Sequence, residues 1–144
     1  MIPIKDLRIG DLVKTTTRNP ILEKGSICKV VLIDALINSI IVQKSDVDVC
    51  RCLVKEEIEG IPLTPEILEK NGWNKRHDPT SSCDIYSKGK DAFYVSLEQS
   101  IYKKQEGFEL VVADSTYRFG NKIQYVHQLQ HILWVLGEDA NLKI

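Results

Sequence analysis

The chain has 144 residues, 43% of them hydrophobic, enough for one compact domain or two small packed subdomains without a disulfide or metal staple. Nineteen basic residues face twenty acidic ones. Split at Gly72, the first half carries ten basic and eleven acidic residues and the second nine and nine, so neither a basic arm nor an acidic tail exists and nonspecific nucleic-acid binding is disfavoured.

The N-terminus, Met1-Ile2-Pro3-Ile4-Lys5-Asp6, lacks the apolar core of a signal peptide. No run approaches the ~18 apolar residues of a membrane span. The expected location is the cytoplasm, with no membrane partner and with the four cysteines as thiols. Residues 6–13 read as a turn at Gly10 feeding a strand that begins at Leu12 and Val13. Asn19-Pro20 and Lys24-Gly25 are turn signals, and Val- and Ile-rich runs follow at 26–34, 39–43 and 47–54. Residues 1–59 therefore predict a small SH3-like barrel or a rolled antiparallel sheet. In Cys50-Arg51-Cys52 the two cysteines share one strand face and are expected to be buried.

Residues 60–144 predict an α+β subdomain, and the whole chain an α+β fold acting as one compact unit. Thr64 suits an N-cap, Pro65 the first helical position and Asn71-Gly72 the stop, which places a short helix at 65–71. Trp73 is expected to pack back over its end. The polar stretch 74–82 reads as a mobile loop. Strands are expected at 83–87, at 91–98 with Phe93, Val95 and Leu97 on one face, at 108–113 and at 116–119. An amphipathic helix at 122–136 closes the chain and is expected to dock on this second sheet. Its core stripe is Tyr125, Val126, Leu129, Ile132, Leu133 and Leu136, and Gly137 follows as a cap.

The opposite side of that helix carries His127, His131 and Trp134 at i, i+4 and i+7. A solvated face, an interface to a second copy or to the N-terminal barrel, and a ligand site are all open readings, the interface because an exposed Trp beside Val135 is unusual on a monomer. The two histidines have zinc-helix spacing but lack the Glu of H-E-x-x-H and a third ligand, so no metal is expected. Phosphate-cradling glycine loops, a nucleophile elbow and paired carboxylates are not present as motifs. No cofactor and no catalytic residue is assigned, and the chain is expected not to be an enzyme.

Binding is what remains. Trp73, Lys75, Arg76 and His77 combine a ring with three cationic groups, and Tyr117-Arg118 is a second such pair. Arg can pair with phosphate and rings can stack on bases, so these six are the candidate ligand contacts. A solvated loop around a packed Trp is the plainer reading of the same residues.

Three segments carry a resemblance: residues 6–13 (DLRIGDLV), 60–72 (GIPLTPEILEKNG) and 123–130 (IQYVHQLQ). Together they resemble a group of small, mostly uncharacterised proteins encoded by gut bacteria and their bacteriophages. That family commonly has Asn where this chain has His131, and it offers no catalytic residues to carry over. The resemblance implies a phage or mobile-element setting. The leading expectation is a non-catalytic, oligomeric counter-defence protein that sequesters a host signalling ligand such as a nucleotide. The alternatives are an adaptor or inhibitor of a host protein, and a specific nucleic-acid-binding module.

Overall fold

A computed structural model describes residues 2–17, 22–44, 50–88, 95–112 and 117–144, apart from the side chains of 105, 112 and 117–120. The protein is α+β, with two five-stranded antiparallel sheets and a closing helix. The chain divides into two compact units: residues 1–61 with 125–141, and 62–124 with 142–144.

In the first unit a 3-10 turn, Ile4–Asp6, precedes β1 (Leu12–Thr15), β2 (Ile27–Asp34), β3 (Ser39–Lys44), β4 (Cys50–Val54) and β5 (Ile58–Gly60). The strand order is β4-β3-β2-β1-β5, so the last strand returns to pair with the first. No pairing between β4 and β5 closes a barrel among the described residues. The register sets Val13 opposite both Cys28 and Gly60, and Ile40 opposite Leu53. Alternation then gathers Val13, Cys28, Val30, Ile40, Val42, Leu53 and Ile58 into one core with Ile2, Ile4 and Leu7. The cysteine expectation fails on β4. Leu53 takes the core side of that edge strand, which leaves Cys50 and Cys52 exposed.

The closing helix, α2 (Val126–Val135), belongs to this first unit and packs on β1. It also starts later than expected, because Lys122 and Ile123 pair with Glu109 and Phe108 in a sheet ladder. Val126, Leu129 and Leu133 are buried as the stripe requires, but His127 and Gln130 are buried beside them and Leu136 is exposed. The N–H groups of Gly137 and Glu138 donate to the carbonyls of Trp134 and Leu133, with Gly137 at φ 73°, so the helix ends in a Schellman motif.

The second unit opens with α1 (Pro65–Lys70). The Thr64 hydroxyl accepts from the Ile67 N–H, and the N–H groups of Gly72 and Trp73 close the far end on Glu69 and Leu68. Its sheet runs β10-β9-β8-β7-β6, where β6 is Asn74–Asp78, β7 Cys83–Lys88, β8 Val95–Ser100, β9 Phe108–Val112 and β10 Tyr117–Ile123. The expected mobile loop at 74–82 is thus largely the edge strand β6, held by a ladder that pairs Asn74 with Ser87 through to Asp78 with Cys83. Strand β8 is buried on both faces because it is the central strand. The alternation expected from Phe93 onward falls partly on residues outside the described set.

Candidate functional site

The first unit contains a cleft of about 410 Å³, within the size range of small-ligand sites. One wall is the N-terminal segment with Lys5, Asp6 and Arg8, and the other is the start of α2 with Tyr125, His127, Gln128 and His131. Two local features build these walls. Gly10, at φ 101°, lets the chain turn so that its N–H reaches the Val30 carbonyl, which sets Asp11 against β2. The Gln128 side chain accepts from the Tyr125 N–H at 3.1 Å and fixes the first turn of the helix.

Gln130 ties the walls together. Its amide oxygen accepts from the Leu12 N–H at 2.9 Å, and its amide nitrogen donates to the carbonyls of Gly10 and Ala140 at 3.3 and 3.0 Å. A polar residue on a helix face that should be apolar is buried here because all its groups find backbone partners.

Beside it lies an Asp–His pair. Asp11 is 3% exposed, and its two carboxylate oxygens accept from His131 Nε2 at 2.8 and 2.9 Å. The same carboxylate accepts from the Arg8 N–H at 2.7 Å. An ionised carboxylate only accepts, so the proton sits on Nε2 and Nδ1 is the ring nitrogen left over. The His127 ring stands 5.9 Å from that of His131, nearly edge-on, and stacks with Tyr125 on its other side at 5.8 Å. His127 is buried, and its Nδ1 finds no partner among the described residues. Burial holds the His127 imidazole below its ordinary value of 6.5; His131 lowers it further, while Asp11 and Asp6 oppose the shift. Among the described residues, no three His, Cys, Asp or Glu side chains group to hold a metal ion.

Trp134 is 68% exposed, with the Arg8 guanidinium 5.3 Å from its ring centre. The three residues expected to line one outer helix face are therefore divided. His127 and His131 turn into the first unit, and Trp134 alone stays outside.

The six candidate ligand contacts do not converge. Trp73 is buried, and its indole N–H finds no acceptor among the described residues. Lys75, Arg76 and His77 lie on the edge strand β6, whereas Tyr117 and Arg118 lie on β10, the opposite edge of the same sheet. Two of the cationic groups are already engaged. Lys75 Nζ is 2.9 Å from Asp84 Oδ2, and His77 Nδ1 is 3.1 Å from Asp84 Oδ1. The hydrogen bond to Lys75 lowers the Asp84 carboxyl below its usual range, and the same bond raises the Lys75 ammonium.

Sequence reasoning missed Asp11 and Gln130 as site residues because their partners lie about 120 positions away. The only local sign was the run of polar residues, His127, Gln128, Gln130 and His131, in the first turns of a ten-residue helix. Comparison with protein-family models, curated proteins and solved structures gave no significant match for this chain.

Proposed function

We propose that the cleft of the first unit binds a small phosphate-bearing ligand, a nucleotide being the expected class, and that the protein acts by capturing it. The observation that carries this reading is the buried His127 ring, with an unpartnered Nδ1, at the start of a ten-residue helix and across from Lys5 and Arg8. A helix N-terminus and two cations favour an anion, and only Asp6 opposes them as an exposed carboxylate in the cleft. In the phage setting implied by the sequence resemblance, capture of a host signalling nucleotide is a counter-defence action.

Thermal unfolding against a panel of linear and cyclic nucleotides tests this. At 100 times Kd, a ligand specific for the native state adds about 2.7 kcal/mol of stability. The variant Lys5→Ala/Arg8→Ala should weaken binding about tenfold or more, the scale of a lost charge-assisted contact. No stabilisation by any member of the panel would defeat the proposal.

A second reading, a protein-binding face, rests on Trp134, Val135 and Ile9, each about 70% exposed, with Trp134 and Ile9 lining a smaller hollow. Trp134→Glu should then abolish capture of a partner, or shift the elution volume of an oligomer, while leaving the thermal midpoint unchanged.

A further inference from the structure

We propose that Cys50 and Cys52 on β4 form a two-thiolate site for a soft monovalent cation, copper(I) being the first-row ion of that kind. Neither cysteine lines the phosphate cleft, so this site and the capture reading stand or fall separately.

The sheet places the pair. Across the β3–β4 ladder Gln43 faces Cys50 and Ile41 faces Cys52, while Ile40 faces Leu53. Ile40 and Leu53 belong to the core, so alternation turns both cysteines to the opposite face of the strand, beside Val54. Both are free thiols and both are exposed. Strand β4 is the edge of its sheet, and among the described residues no strand pairs with its far side. Leu32 and Ile41 share the row of Cys52, so its cross-strand neighbours are apolar and bring no rival ligand.

Distances choose between the reactions open to such a pair. Side chains two apart on one strand face stand about 6.7 Å apart at their roots. A disulfide needs its two Cβ atoms within about 4.5 Å, so the extended backbone keeps these thiols from joining each other. A linear two-coordinate ion is less demanding. With metal–sulfur bonds of about 2.3 Å its two sulfurs lie about 4.6 Å apart, which each Cβ–Sγ bond reaches by leaning inward about 1 Å.

Donor chemistry then selects the ion. Zinc takes three or four protein ligands, and among the described residues no third His, Cys, Asp or Glu joins the pair. Calcium and magnesium take oxygen ligands. Thiolates favour soft ions, and copper(I) is satisfied by two of them. Each thiol releases its proton to solvent as its sulfur–copper bond forms, and the metal stays copper(I) throughout. No oxidant or reductant enters.

The test titrates the reduced full chain with copper(I) in the absence of oxygen, against a chromogenic copper(I) chelator, with zinc(II) in parallel. Native mass spectrometry reads the stoichiometry and X-ray absorption the coordination. The expected result is one copper(I) per chain with two sulfur neighbours, and no zinc(II) retained through desalting. Cys50→Ser and Cys52→Ser should each weaken copper(I) binding by about 100-fold or more, because a single thiolate loses the chelating partner. Both variants replace exposed side chains and should keep the wild-type thermal midpoint. Cys83→Ser, in the other unit, should leave the affinity unchanged.

No copper(I) taken from the chelator would overturn the site. So would an affinity within about tenfold of wild type in either Cys50→Ser or Cys52→Ser, since chelation is worth more than that. Copper(I) held only between two chains, zinc(II) retained alongside it, or loss of binding in Cys83→Ser would overturn it too. None of these outcomes touches the capture reading, which the nucleotide panel tests on its own.

Discussion

His127 couples the cleft to stability. Its ring is charged more readily in the unfolded chain than in the fold, because burial penalises the imidazolium. Below the ordinary value of 6.5 the unfolded state therefore binds the extra proton, and stability falls as pH drops through that region. Above it, both states hold a neutral ring and the effect vanishes. Urea unfolding at pH 7.5 and 5.5 should show this loss in the wild type and a smaller loss in His127→Gln. Asp78 acts further down the scale. Hydrogen bonds from Thr80 and Ser81 hold its carboxyl at about 2, so the stability it adds is lost only as pH falls from 3.8 toward that value.

At the scale of elements, patterns confined to neighbouring residues were legible. Thr64, Pro65 and Gly72 predict α1 because capping is local chemistry, and Gly137 marks the end of α2 for the same reason. Strands β2 and β3 follow from Val- and Ile-rich runs. Strand β6 did not show, because Asn74-Lys75-Arg76-His77-Asp78 has no apolar residue and owes its extension to the ladder with β7. The candidate site was only half legible. His127 and His131 stood out as a pair, but their inward orientation depends on Asp11 and the Gly10 turn, which no local pattern links to the helix.

One turn offers a sharp test of element geometry. Gly107 enters β9 at φ 88° and ψ −159°, a region nearly closed to other residues, and an added Cβ would meet the Ile123 carbonyl oxygen at 2.5 Å. Gly107→Ala should cost about 3 kcal/mol or more, read as a lowered urea midpoint at unchanged slope.

For the whole molecule, the consequence lies in chain order. The first unit is made from both ends of the sequence, 1–61 and 125–141, with the second unit inserted between them. Its sheet gathers a core from residues 2–58, but α2 reaches β1 only from the far end of the chain, a long loop closure that slows folding. Truncation after Gln124 removes the buried side chains of Val126, Leu129 and Leu133. At about 1.5–3 kcal/mol each, their loss is comparable to the stability of a small domain. The truncated chain should lose the dispersed NMR signals of residues 2–61, and retention of those signals would refute this dependence. No helix among the described residues is long and apolar enough to cross a membrane.

The central claim, that the cleft of the first unit captures a phosphate-bearing ligand, has a built-in reporter. The chain holds three histidines, and only His127 and His131 line the cleft, while His77 lies on β6 of the other unit. Imidazole NMR signals followed during nucleotide titration should move for His127 and His131 and stay fixed for His77. A shift confined to His77, or no shift with any nucleotide, would contradict the account.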